Sequence, residues 1–517
     1  MRTRVMVAAL AAAGLCSPAL AAKAAPAKAA KAEPAKLAAA DPALLEKLAA
    51  RMEKLEARNA ELEKEVKTLK SENEKIASGL ESERISQYEP ELTARLKAVE
   101  KDALDMKKSS KVIEALDGLK AGASLTTVAQ KPSGLPRGTA DGNSQLSYRA
   151  DATIEMPLAP VGDVDQKLFA HFRMGQGLGL NTPFANLGHF ASAPNATAFR
   201  ASGSNPDDSV AILAQAWYQA SIPLPFGGFK PRSREKLELT FGKIDIFGFF
   251  DQNEAAGDES VQFMNSVFVH NPLLDAGGEV AVDANGFQPG FIASYVNETN
   301  KAEPWRVSLG FFGAGERGAS YQRSFDSPLT ILQAEKQLKL FGGLSGNYRA
   351  YAWHRGDVVE FDGIRKAGHS GIGVSFDQRV GDGMNLFGRY GKLTQGQAPF
   401  DQALTLGAEF NGSYWGRGGD AIGIAGGWLK ASSDYRKTGG SGCLGGDTDD
   451  SGACDAADTG FFSFTPSGAE KVAEIYYRYR ISPQFELTPD FQWIGRPGAN
   501  PDAKSVKVLG LRANVSF

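Results

Sequence analysis

The sequence predicts an all-β transmembrane barrel of about sixteen antiparallel strands, preceded by an α-helical coiled coil. Three observations carry that prediction. An export signal opens the chain, a period-seven repeat fills the region after it, and period-two alternation recurs from Leu146 to Phe517.

Arg2 and Arg4 make a positive n-region, Val5 to Leu15 an apolar h-region, and Ala19-Leu20-Ala21 an A-x-A cleavage site. That apolar stretch is too short to span a bilayer, so residues 1–21 read as a removable signal peptide. Cys16 does not fit a lipoprotein site, because Leu15 precedes it where a small residue is needed. No later segment reaches the ~18 uninterrupted apolar residues of a membrane helix. An exported chain of this kind is periplasmic, secreted or a β-barrel. A mean hydropathy of −0.26 looks soluble, but half of every barrel strand faces water. A net charge of −3 offers nothing to a polyanion, so no nucleic-acid partner is expected.

Residues 22–40 are rich in Ala, Lys and Pro and read as a flexible linker. From 41 to 117 the period becomes seven. Leu45, Met52, Asn59, Val66, Asn73 and Leu80 share one heptad position, and Leu48, Leu55, Leu62, Leu69 and Ile76 the position three further on. This is a coiled-coil seam, in which Asn59 and Asn73 fix register at a cost in stability. A second helix is expected from Pro90, with Leu92, Leu96, Val99, Leu104 and Met106 on its apolar face and Gly118 at its end. Residues 118–145 hold several Gly and Pro and read as a second linker.

The barrel domain is expected over 146–517. In its first strand Leu146, Tyr148, Ala150, Ala152, Ile154 and Met156 alternate with Ser147, Arg149, Asp151, Thr153 and Glu155. Similar alternation recurs at 166–174, 210–222, 237–247, 305–311, 384–390, 405–414, 471–481 and 485–493. The last strand places Leu509, Leu511, Ala513, Val515 and Phe517 on one face, with a terminal aromatic suited to an interfacial girdle. Segments such as 332–342 alternate poorly, so the strand count rests on length: about 23 residues per strand with its connection. Trp217-Tyr218, Phe249-Phe250, Trp353, Tyr414-Trp415, Tyr476-Tyr477 and Trp493 are expected in the girdles. Cys443 and Cys454 lie in a Gly/Asp-rich stretch and, after export, suit a local disulfide. They lack the four-ligand spacing of a zinc site. Asp447, Asp449, Asp450, Asp455 and Asp458 beside them fit a solvated acidic loop or a calcium-binding one.

Leu239-Thr240-Phe241-Gly242-Lys243-Ile244-Asp245, then Phe250-Asp251-Gln252-Asn253-Glu254, then Gln262-Phe263-Met264-Asn265-Ser266 read in order as a G-K strand, an F-D-x-N turn and an F-x-N-S continuation. Leu406 to Gly412, Ala473 to Arg480, Leu487 to Gln492, Pro497-Gly498 and Leu509 to Arg512 add to the same series. By these stretches the barrel half resembles the carbohydrate-selective porin family, OprB. The resemblance implies a sixteen-stranded, trimeric outer-membrane pore of a Gram-negative bacterium for monosaccharides and similar solutes. It does not extend to the coiled coil, which looks like a periplasmic extension for trimerisation or for reaching peptidoglycan.

A diffusion channel needs many weak, replaceable hydrogen bonds and no catalytic centre or cofactor. With apolar positions on lipid, alternation puts Arg149, Arg173, Arg389, Glu409, Glu474, Arg478, Arg480, Asp490 and Arg512 on the lumen face as solute-contact candidates. Asp151, His171, Asn411, Glu486 and Gln492 share that face. Asp251, Asn253 and Glu254 fit either an inward-folded constriction loop or an outer turn. Opposed charges favour neutral polar solutes. The basic surplus keeps phosphate or organic acids as an alternative cargo, and a structural tether through the coiled coil is a second alternative. Enzyme patterns are missing. His171, His189, His270, His354 and His369 are scattered, and Gly175-Gln176-Gly177-Leu178-Gly179 lacks the Gly-Lys-Ser/Thr of a phosphate loop.

Overall fold

The computed structural model describes residues 118–135, 144–177, 179–180, 192–199, 208–227, 233–275, 287–314, 325–360, 366–438 and 464–517, together with Lys64, Lys67, Thr68, Lys70 and Ser71. The chain divides into two units, residues 14–117 and a barrel unit that includes 118–517. In the first unit the five described residues are helical, and Thr68 Oγ1 donates to Lys64 O at 2.8 Å. The signal peptide, the 22–40 linker, nearly all of the expected coiled coil, and Cys443 and Cys454 with their acidic neighbours lie outside the described residues.

Sixteen strands close into one barrel, each antiparallel to its sequence neighbours, with the last returning to the first. They are β1 Lys120–Ser133, β2 Gln145–Val161, β3 Val164–Gln176, β4 Val210–Pro223, β5 Glu235–Ile244, β6 Gln288–Asn297, β7 Trp305–Phe312 and β8 Leu329–Leu340. There follow β9 Leu344–Val359, β10 Lys366–Val380, β11 Met384–Gln395, β12 Phe400–Asn411, β13 Ala421–Ala431, β14 Ala469–Arg480, β15 Phe485–Gly495 and β16 Val506–Ser516. Closure gives every strand a partner on both sides and leaves no sheet edge, the condition for a strand structure in hydrocarbon. Alternation holds as the sequence indicates: Leu146, Ile154, Leu509 and Leu511 are exposed outward, whereas Ser147, Arg149 and Arg512 are buried inward.

Tight turns such as 162–163, 341–343 and 381–383 gather at one end, and the long β3–β4, β5–β6 and β13–β14 connections at the other. In outer-membrane barrels these are the periplasmic and extracellular ends respectively. β1 starts and β16 finishes at the turn end, where Phe517 N donates to Ala123 O at 2.8 Å.

The barrel begins at Lys120, not at 146, so the expected 118–145 linker is corrected. β1 pairs with β2 through Ala123↔Ala152 and with β16 through Leu125↔Val515, and without it the cylinder would be open. Its outward face offers Ala121, Ala123, Leu125, Thr127, Ala129 and Lys131. That face is apolar enough for a strand flanked by two others, yet too weakly apolar to announce one.

The girdle reading is also corrected in part. Tyr414 and Phe517 are exposed at the turn end, but Trp353, Tyr476 and Phe250 are buried inside the barrel. They belong to a core built within the lumen, which also contains Ile292, Phe312, Ile331, Phe387 and Leu429.

Candidate functional site

That core exists because the β5–β6 connection folds inward. After β5, Asp245 Oδ1 accepts Phe247 N at 3.0 Å and caps a 3-10 turn at Ile246–Gly248. The chain then reverses at Asp251, whose φ of 51° lies in the left-handed region that Asp tolerates better than most residues. Two short helical turns follow, Ser266–Val269 and Pro272–Asp275, the first capped by Asn265 Oδ1 on Val267 N. Lumen-facing glycines make room for the segment. A Cβ on Gly391 would lie 2.4 Å from Asn271 Oδ1.

Polar anchors fix it to the wall. Asp251 accepts Arg389 Nε on β11, Tyr351 Oη on β9 at 2.9 Å and Asn271 N at 2.6 Å, while its own N donates to Gln333 Oε1 on β8. Arg389 Nη1 also donates to Phe268 O at 2.7 Å. Asn253 Nδ2 donates to Phe376 O at 2.9 Å, and Glu254 meets Arg379 Nη2 at 2.9 Å. On the other side Glu474 accepts Met264 N and Asn265 N at 2.6 and 3.0 Å, and Asn265 Nδ2 donates to Gln492 Oε1 at 3.0 Å. Arg512 Nη1 donates to Glu259 O and Gln262 O at 2.9 and 2.7 Å. Buried charges persist only when paired and hydrogen-bonded, which explains why so many ionised side chains line this interior.

Where the segment returns towards β2, it meets a compact charge cluster. Asp151 accepts Arg149 Nε, His171 Nε2 and Arg173 Nε, each at 2.7 Å. Arg149 Nη1 continues to Glu259 Oε1 at 2.6 Å. Arg173 also lies over the Phe287 ring, 5.2 Å from its centre. Burial pushes the Glu259 carboxyl up, but the Arg149, Arg173 and His270 charges outweigh it and bring its pKa to about 2. Burial pushes Asp245 above the usual carboxylate range, against the pull of His270 and of the Phe247 N–H.

The predicted lumen residues therefore fall into three groups. Asp251, Asn253, Arg389, Glu474 and Arg512 hold the inward segment. Asp490 lies in the same layer, where its Oδ1 accepts Gln492 Nε2 at 3.0 Å. These side chains are buried among protein groups, so their hydrogen bonds are spent on the segment rather than presented to a solute. Glu409, Arg478 and Arg480 form an ion-pair row with Glu486 near the turn end, at 3.3 to 3.9 Å, and Glu254 joins Arg379 close by. Arg149 and Arg173 form the cluster on Asp151 with His171, in which Arg149 and His171 are buried and Arg173, Asp151 and Glu259 stay partly exposed. The sequence reading left the 250–254 motif between inward loop and outer turn, and it is inward. Glu259, Gln333, Tyr351 and Asn271 were missed. The first sits among acidic loop residues, and the others carry no mark of contact across the lumen.

The profile of the carbohydrate-selective porin family, OprB, matches residues 147–517. The chain belongs to the OprB family. It is accordingly an outer-membrane porin for carbohydrates, and the family match starts within β2. Among solved structures, the high-pH structure of Pseudomonas putida OprB is 18% identical, covers 78% of this chain and 96% of that one, and has a TM-score of 0.59. The low-pH structure of Pseudomonas putida OprB is 15% identical over 79% and 96%, with a TM-score of 0.43. The outer-membrane channel DcaP of Acinetobacter baumannii is 13% identical over 77% and 97%, with a TM-score of 0.42. The first of these supports a shared fold with an OprB porin. No curated protein sequence matches the chain.

Proposed function

We propose that the porin passes small neutral sugars by diffusion past the inward segment, alongside the exposed edge of the Asp151 cluster. The observation that carries this reading is the mixed charge of the cluster: three cationic or ionisable donors, Arg149, His171 and Arg173, converge on one carboxylate, with Glu259 beyond. Such a border offers donors and acceptors at short spacing, and sugar hydroxyls exchange with both without being held. The donors outnumber the carboxylates, which supports anions such as phosphate or organic acids as the second reading. Planar-bilayer conductance with glucose, maltose and phosphate as blockers separates the two. Sugar block at concentrations where phosphate has no effect supports the first. Phosphate block at far lower concentration than sugar block overturns it.

The finer assembly belongs to the same proposal. The chain enters the barrel at the end where Ala123 meets Phe517, which supports placing residues 41–117 in the periplasm, as a trimerising coiled coil or a tether to peptidoglycan. Trimming the mature chain to begin at 118 tests it. Loss of trimers on native gels marks an assembly helix; intact trimers with a loosened envelope mark a tether.

A further inference from the structure

The β4 strand carries one residue too many. His171 of β3 pairs with Gln215 while Phe172 pairs with Leu213, so Ala214 is an inserted, bulged residue. At the insertion the parity of the strand changes, from odd positions outward to odd positions inward. Before it Leu213 faces outward and is exposed; after it Trp217 faces the lumen and is only 8% exposed. Bulges commonly re-aim side chains beside functional sites. The neighbouring strand is adapted to the same ring: Gly242, paired with Trp217, has φ 143°, and a Cβ there would lie 2.2 Å from Ala216 O and 2.9 Å from Trp217 Cβ.

Trp217 is the centre of an aromatic group. Phe169 stacks on it with centres 4.7 Å apart at 21°, and Phe249 of the inward segment meets it edge-on at 5.6 Å. Phe169 and Phe249 are half-buried and line a cavity of about 650 Å³ on the turn side of the inward segment. That volume falls within the roughly 300–1,000 Å³ of small-molecule sites. Its four carboxylates are paired locally: Glu155 with Lys167 at 3.0 Å, Glu238 with Arg306 at 3.2 Å, Glu335 with Arg349 at 3.1 Å and, more loosely, Glu298 with Lys236 at 3.8 Å. Gln219, Gln337 and Asn347 add uncharged donors and acceptors.

We infer that Phe169 and Phe249, backed by Trp217, form a stacking subsite for a pyranose ring at the periplasmic mouth of the constriction. The C–H face of a pyranose is apolar and its rim is hydroxylated, which matches flat rings surrounded by amides and closed ion pairs. An anion finds no uncompensated cation among those pairs. Because Phe249 comes from the inward segment, docking of that segment completes the subsite. The inference rests on the carbohydrate reading above and names where the ring is held.

The test compares block of the single channel by glucose and by glucitol, its acyclic alditol, which keeps the hydroxyls but has no ring face. In the unmodified porin glucose blocks more strongly. Phe169→Ala and Phe249→Ala each weaken glucose block roughly three- to tenfold, the range of one aromatic contact, and leave glucitol block unchanged. Equal loss for both solutes, or no loss for glucose, overturns the subsite. Phe249 lies off the barrel wall, so its variant stays informative if the Phe169 variant does not assemble. An unmodified porin that no sugar blocks overturns the carbohydrate reading itself, which the variants then do not address.

Discussion

Arg389 and Asp251 meet inside the barrel with Nε 3.1 Å from Oδ2, both side chains no more than 1% exposed. One is on the wall and the other at the reversal of the inward segment, 138 residues apart in the chain. Their contact is the buried ion pair at the turn of the inward segment, one of several anchors that set the width of the channel.

Removing one partner of such a pair leaves the other charged, buried and alone, at a cost of about 3–5 kcal/mol. Arg389→Ala is expected to loosen the inward segment without opening the barrel. Conductance should rise, current noise should grow and sugar block should weaken. An unchanged single-channel current in a correctly assembled Arg389→Ala porin would contradict the anchoring role.

The border of the passage should set charge preference. Arg173→Glu removes one of the donors on Asp151 and adds a second carboxylate beside it. The reversal potential in a potassium chloride gradient is expected to move towards cation preference. Asp151→Asn should move it the other way, since three donors would lose their shared carboxylate. A common shift in both variants would refute the assignment.

Acid should release the Arg149 pin only late. Glu259 has a pKa of about 2 in the folded porin against 4.5 for an unperturbed carboxyl. A depressed value means its stabilisation is complete above 4.5 and is lost as pH falls towards 2. Conductance steps should therefore hold between pH 7 and 5 and become larger or noisier below about pH 4. Glu259→Gln should show that acid behaviour already at pH 7; a quiet, wild-type-like Glu259→Gln channel would dismiss the pin.

The corrected start of the barrel is testable by trimming. A chain beginning at residue 118 keeps β1 and is expected to give a heat-modifiable band on gels and normal channels. A chain beginning at 136 loses a strand that pairs on both sides, and should give neither. Channels of normal size from the shorter chain would show that β1 is dispensable.

The inward segment explains which strands were legible in the sequence. Where the lumen face meets water, as on β2, polar and apolar residues alternate cleanly and the strand is plain. Where the face meets the segment, the inward positions are themselves apolar. β13 packs Ala425 and Leu429 inward while Ile422 and Ile424 face out, so both faces read alike. β9 puts Tyr351 and Trp353 inward against Ala350 and Ala352 outward, which inverts the expected pattern. The candidate site was legible as residue types, since most charged lumen positions were found from parity alone. Their partners were not, because contacts such as Asp251 with Gln333 depend on how a loop docks across the barrel, and no spacing along the chain encodes that.

The Ala214 bulge gives β4 a reading frame. Odd positions face lipid up to Leu213 and the channel from Gln215 onward, much as a reading frame changes at an insertion, while the pairing with β3 continues on either side. Deleting Ala214 would restore plain alternation and leave Trp217 in the channel. One further residue inserted between Gln215 and Ala216, if it is not bulged out, would turn Trp217 to the bilayer and Tyr218 into the channel. Pore chemistry in this barrel can thus be rewritten by a change of count as readily as by a change of amino acid.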